Sequence, residues 1–400
     1  MIYVYLVYAI ITLTILNIIS STPINSVFKA IETNSSYFHI KHIDYLVFND
    51  IYFIRVALGT PHQIIFTKID LHKDVTLIFP NTFKQNESTT LFELYQLTYE
   101  LNEQVLNCTL YKDNAFFNKN FIIKEFPFIL FTLIPSMNIN TFSSVGLSHS
   151  YSNNIFNIPF QLKTNNNITS QMFSFINYNS PTSYIGKLVF GDFTSVIKQY
   201  RRNFTMKTCD VISNKWCCSF KHITFDNQKT KLMNSIACFI MNDKFIYAPK
   251  NVFDNVIVKA FEKYINLNIC NVVVNDNAKC IVCGQCDELI KKMEIGLGTE
   301  TFEVKNLFSK NIIEKNCLFN IRGKLDNNDD DNVWWLGTMF HKENIISFDY
   351  ENNAIMIYEV KDHNNEGKNN YGKLICVNIN IVLLVFACLC LIMFSLFIYN

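Results

Sequence analysis

The chain has 400 residues and is close to neutral, with 35 basic and 34 acidic side chains. That balance gives no reason to expect a nucleic acid or an acidic partner. Glycine (11) and proline (8) are scarce, well under the average usage of roughly 7% and 5%, so tight turns that need a positive φ are costly to build.

Both ends are apolar. Residues 1–19 carry no charge and Ser20-Ser21-Thr22 follow, so residues 1–21 read as a signal peptide or signal anchor. Residues 22–44 show no clear periodicity and form a short N-terminal segment, one reading of which is a removable prosegment. At the other end Ile381 to Tyr399 run for 19 residues without a charge, long enough to cross a bilayer. Asn370, Gly372 and the spacer from Lys373 to Asn380 also suit a GPI attachment signal. A transmembrane anchor and a GPI tail are both left open, behind a polar stalk over 361–380.

Of 13 cysteines, Cys376, Cys388 and Cys390 belong to the tail region, and ten lie between Cys108 and Cys317. Cys280, Cys283 and Cys286, with Cys270 nearby, have zinc-like spacing. Behind a signal sequence, with no suitably spaced His pair, disulfides are the reading we adopt. Glycosylation sequons stand at Asn34, Asn86, Asn107, Asn167 and Asn203.

Between the ends, short apolar runs separated by breakers predict strands at 45–48, 51–58, 63–69, 75–79, 121–133, 186–190, 220–225 and 345–358. Val252 to Tyr264 is the one good helix candidate. Asp326 to Asn332 is polar and acidic and reads as a loop. The pattern is that of an all-β region of two lobes.

A set of landmarks in fixed order then resembles the pepsin-like aspartic peptidase family, across roughly residues 45–359. Leu58-Gly59-Thr60-Pro61 with Gln63 resembles the turn before the first catalytic loop, and Asp70 falls where the family places its first aspartate. Pro80 lies one residue late. Ser144-Val145-Gly146-Leu147, Gly186 to Asp192, and Trp216 with Ile223-Thr224-Phe225 follow. Counting back from Pro249 puts Ile240 at the second aspartate position. Trp335-Leu336-Gly337-Thr338 through Phe348-Asp349 to Ile355 resembles the closing segment. The resemblance implies an N-terminal lobe over 45–195, a C-terminal lobe over 196–360, a central cleft, a scaffold resting on Gly59, Gly146 and Gly337, and a Cys286–Cys317 disulfide.

It also exposes what has changed. The family's chemistry needs two carboxylates close enough to share a proton, one activating water and one supporting the carbonyl oxygen. Here the loops read Asp70-Leu71-His72-Lys73 and Ile240-Met241-Asn242-Asp243. Asp70 keeps one carboxylate; beside Leu71, His72 and Lys73 it is either turned away or paired with Lys73, and both are left open. Ile240 has none, and Asp243 is the substitute candidate. Tyr99 stands where the family has its flap tyrosine, but Glu100 to Asn114 hold no glycine. Trp334-Trp335 read as core, His72 and Lys73 as a solvated loop, and Arg201-Arg202 as a solvated pair. No Ser/His/Asp order, P-loop, zinc-protease motif or cofactor signature is present.

Three functions are therefore in play: an inactive peptidase homologue on a membrane, monomeric, binding a peptide or protein in the cleft; an active endopeptidase with a non-standard dyad; and a structural surface antigen on a relic fold. The first is the expectation.

Overall fold

The computed structural model describes residues 31, 39–48, 51–80, 82–101, 104–131, 143–149, 156–177, 185–199, 204–275, 278–284, 289–290, 292–304, 307–311, 316–325, 332–341 and 344–360. Residues 1–21, the stalk, the apolar tail, Cys286, Arg201-Arg202, the acidic run at 326–331 and the sequons at Asn34 and Asn203 lie outside them. No helix among the described residues is long and apolar enough to cross a membrane.

The chain is built mostly of strands. In order they are β1 (Lys41–Phe48), β2 (Ile51–Leu58), β3 (Gln63–Asp70), β4 (Leu77–Ile78), β5 (Phe92–Leu101), β6 (Gln104–Asn118), β7 (Phe121–Phe131), β8 (Ser144–Gly146), β9 (Met172–Asn177), β10 (Ile185–Phe190) and β11 (Phe204–Asp210). The second half gives β12 (Cys217–Phe225), β13 (Gln228–Phe239), β14 (Ile246–Ala248), β15 (Cys270–Asn275), β16 (Ala278–Cys283), β17 (Met293–Leu297), β18 (Glu300–Glu303), β19 (Phe308–Asn311), β20 (Asn316–Phe319), β21 (Ile321–Lys324) and β22 (Val333–Leu336). Finally β23 (Ile345–Asp349) and β24 (Ala354–Val360) return to the first sheet.

That sheet runs β11-β24-β23-β9-β10-β1-β2-β3-β8-β4-β7-β6-β5, and the other runs β18-β17-β12-β13-β22-β14-β21-β16-β20-β19. The all-β expectation holds. β1 starts at Lys41, earlier than the apolar run indicates, because Ile43 and Tyr45 alternate inward and pair with β10. The predicted helix is real but broken into short turns between Lys250 and Asn266, packed through Phe253, Ile257 and Phe261.

Glycine scarcity has a visible consequence. Among the described residues eight non-glycine residues take positive φ, and six of them are Asn or Asp: Asn166, Asp226, Asn227, Asn234, Asn268 and Asn353. These side chains tolerate the left-handed region best after glycine. Asp226 and Asn227 make the two-residue turn between β12 and β13.

One local arrangement occurs twice. β8 lies parallel to β3, with Asp70 opposite Gly146, and antiparallel to β4. β22 lies parallel to β13, with Phe239 opposite Leu336, and antiparallel to β14. Each copy therefore threads a short glycine-containing segment between the two strands that flank a loop. The loops are residues 71–76 and 240–245, and they carry the two altered motifs.

Candidate functional site

The glycines explain why both loops keep their path. A Cβ on Gly146 would sit 2.5 Å from the carbonyl oxygens of Lys73 and Val75. A Cβ on Gly337 would sit 2.2 Å from the Phe245 carbonyl oxygen and 2.8 Å from that of Asp243. Each loop thus folds back on a residue that has no side chain. Backbone bonds fasten the arrangement: Leu147 N–H to the Asp70 carbonyl (2.8 Å) and Ser148 N–H to that of Lys73 (3.0 Å) in the first loop. In the second, Ile240 N–H donates to Leu336 (3.0 Å), and Thr338 and Met339 donate to Asp243 (2.8 Å) and Lys244 (3.0 Å).

Asp70 ends β3 and is 5% exposed. Its Oδ1 accepts from the His72 amide at 2.9 Å, and its Oδ2 lies 3.6 Å from Lys73 Nζ. Of the two alternatives the sequence left open for Asp70, the structure has the ion pair with Lys73. Burial pushes the Lys73 ammonium below its usual range, while Asp70 opposes that shift.

Ile240 is 8% exposed, and Leu71 and Met241 are 1% exposed. Each loop therefore buries apolar side chains next to its aspartate position. Asp243 turns to its own loop: Oδ1 accepts from the Phe245 amide at 3.0 Å and Oδ2 from the Tyr247 hydroxyl at 2.8 Å. Burial and the Asp243 charge push the Tyr247 hydroxyl well above its usual range. The hydrogen bonds of the described residues tie Asp70 and Asp243 each to its own loop, not to one another.

Tyr99 stands on β5, which pairs with β6 in a long hairpin. Its ring meets Phe131 edge-on at 6.0 Å. Burial, and after it the charges of Asp74 and Asp70, push its hydroxyl up to about 12. The hairpin thus brings Tyr99 within electrostatic reach of the first loop.

The two tryptophans read as core separate. Trp334 is fully buried, 4.5 Å from Phe220. Trp335 points the other way and is half-buried, because neighbouring residues of a strand face opposite sides. The His72 ring meets it edge-on at 4.9 Å, so the first loop touches β22. Lys324 Nζ lies 5.0 Å and Lys215 Nζ 5.8 Å from the same ring. Beside it the Arg322 guanidinium stacks on Phe245 at 3.5 Å, with Lys244 Nζ 5.6 Å from that ring. Sequence reasoning missed this wall. Its signal was the alternation Ile321-Arg322-Gly323-Lys324, a strand with both cations on one face.

Three disulfides have both partners among the described residues: Cys209–Cys218, Cys217–Cys238 and Cys270–Cys283. Cys317 is also disulfide-bonded; its expected partner Cys286 lies outside the described residues. Cys108 is a buried thiol. Disulfides of this kind form in oxidising compartments, as befits a secretory or extracellular protein.

The comparisons agree with the fold. The crystal structure of the aspartic proteinase from Irpex lacteus is similar, with a TM-score of 0.63 and 11% sequence identity over 80% of this chain and 98% of that one. At that identity the likeness shows the fold alone. No curated protein sequence matches. The family model for eukaryotic aspartyl protease matches residues 51–360. With the duplicated loop arrangement and the ordered landmarks, that match shows that the chain belongs to the eukaryotic aspartyl protease family.

Proposed function

We propose that this chain is a catalytically inactive member of its family, held on a membrane and working by binding a peptide or protein beside the two loops. The observation that carries the reading is the second loop. Ile240 stands at the position of the second carboxylate, and both oxygens of Asp243, the substitute candidate in that loop, are engaged by Phe245 and Tyr247. A lone carboxylate paired with Lys73 cannot both take a proton from water and support the substrate's carbonyl oxygen. The retained glycines under both loops favour a scaffold that is still used over a relic. Membrane attachment rests on the uncharged run at 381–399, and export on residues 1–21 and the disulfides.

The test is cleavage of a peptide library by the folded protein across acid to neutral pH, with and without pepstatin. No cleavage is expected at any pH. Pepstatin-sensitive cleavage that disappears in Asp70→Asn would overturn the reading and make Asp243 the first suspect as second acid.

A further inference from the structure

We propose that Asn167 carries an N-linked oligosaccharide, and that the first sugars of this glycan lie in a groove between the helix Ile158–Thr164 and the β6–β7 pair. The proposal rests on passage through the secretory pathway, which the disulfides support, and is independent of the peptide-binding reading.

Three sequons fall among the described residues, at Asn86, Asn107 and Asn167. The third stands on a well-defined turn. The helix Ile158–Thr164 is followed by Asn166 in the left-handed region, at φ 55°. The Asn166 amide donates to the Lys163 carbonyl at 2.9 Å, and the Asn167 amide to the Leu162 carbonyl at 2.8 Å. This pair of bonds is a Schellman motif, in which the residue at the Asn167 position is commonly apolar and packs back on the helix. Here Ile168 is the buried residue, at 3% exposed. Asn167 stays half-buried and Thr169 exposed. The hydrogen bond that Asn167 makes is through its backbone, which leaves the side-chain nitrogen open to modification. A sequon whose Asn and Thr flank a buried middle residue on a surface turn accommodates a glycan without unfolding.

Asn167 also lines the groove, whose volume of about 630 Å³ lies within the range that bound small molecules occupy. Phe160, Pro127 and Ile122, the last 42% exposed, supply its apolar wall, and Thr164 and Asn165 a polar rim. It shares the Lys112–Glu125 ion pair (3.4 Å) with a second hollow of about 320 Å³. Thr90, Asn114 and Phe92 line that one, and Phe92 is 63% exposed. A pyranose ring has an apolar C–H face and a rim of hydroxyls, so it suits an aromatic surface set beside amides and hydroxyls. Two such surfaces in adjoining hollows match an oligosaccharide better than a single sugar. Asn86 and Asn107 line neither hollow.

The bond forms as the chain enters the secretory pathway. The Asn167 side-chain nitrogen attacks the anomeric carbon of a lipid-diphosphate-linked oligosaccharide. The new N–C bond replaces the anomeric C–O bond, the lipid diphosphate leaves with that electron pair, and the amide gives up one proton to solvent. Nothing is oxidised or reduced.

The test expresses the full chain through the secretory pathway of cultured eukaryotic cells and extracts it in detergent. Peptide mass spectrometry follows treatment with peptide:N-glycosidase before or after denaturation. The peptide spanning Asn167 should carry a glycan, and Thr169→Ala should abolish it. In the native protein, release from Asn167 should be about three- to tenfold slower than in Phe160→Ala, the worth of one aromatic contact. Ile122→Ser, at an exposed position, should speed release as well and keeps the test open where Phe160→Ala does not fold. An unmodified Asn167 in a chain whose disulfides have formed would overturn the proposal, most directly if Asn86 or Asn107 is modified. Equal native release rates in the parent and in the variants that fold would overturn the groove as the glycan's place. A chain recovered from the cytosol with reduced cysteines would remove the export reading, and the proposal with it.

Discussion

The Tyr247 hydroxyl donates to Asp243 Oδ2 at 2.8 Å, and this bond decides how the second loop's one carboxylate is used. The acid serves as a local brace, closing the loop on β14. Tyr247→Phe should destabilise the protein by about 1 kcal/mol, the usual worth of one such bond, seen as a lowered midpoint in urea. It should not release Asp243 for catalysis, because the Phe245 amide still holds Oδ1. Appearance of pepstatin-sensitive cleavage in Tyr247→Phe would show that the brace was suppressing an active dyad.

Under the proposed reading, placing a carboxyl at position 240 should also fail to give a working dyad. Ile240 is 8% exposed. Ile240→Asp exchanges packed hydrocarbon for a buried carboxyl and should cost about 2–4 kcal/mol at neutral pH. Burial raises the introduced group's pKa, so the cost is fullest above that folded value and shrinks as pH falls toward the unfolded value near 4. Thermal unfolding at pH 7 and pH 4 measures this. A variant as stable as the parent at pH 7 would mean the loops are looser than the packing implies.

Gly337→Ala tests the loop scaffold without touching any charge. The new methyl would overlap the Phe245 carbonyl at 2.2 Å, and backbone cannot rotate away as a side chain can. A loss of about 2–3 kcal/mol is expected, with Gly146→Ala similar in size. Equilibrium unfolding of both variants checks it. An effect confined to Gly146 would show that the second loop can shift and that its sequence has drifted free of the scaffold.

How much of this was legible depends on which physical signal each part carries. The strands around Asp70 were readable because β2 and β3 alternate or run apolar over eight residues between turn residues. Gly146 and Gly337 were readable as landmarks, but the reason for them, backbone against backbone, exists only in three dimensions. The hairpin of β5 and β6 was not predicted as strand; its outer residues include Phe92, Tyr95 and Val105, so apolar and polar groups do not sort cleanly between faces. Trp335 was misread because Trp334 beside it is core, and only the pleat separates them. The basic wall escaped notice because Lys215, Lys244, Arg322 and Lys324 come from three segments, and the near-neutral total conceals their meeting.

The support beneath the second loop should be sensitive to acid. His341 is fully buried, its Nε2 lies 3.2 Å from the Leu336 carbonyl oxygen, and its ring meets Phe239 edge-on at 5.6 Å. Burial drives its pKa down to about 3 from an ordinary 6.5. A depressed histidine stays neutral in the folded chain while the unfolded chain takes up a proton. Its contribution is therefore intact above about pH 6.5 and falls as pH drops toward 3, with a limiting slope of about 1.4 kcal/mol per pH unit. His341→Gln keeps a neutral donor for Leu336 and removes the titration. Urea unfolding between pH 7 and pH 5 should show a shallower acid limb in that variant, whatever its stability at pH 7. An unchanged slope would assign the acid sensitivity to other groups, His149 first, whose pKa burial also lowers.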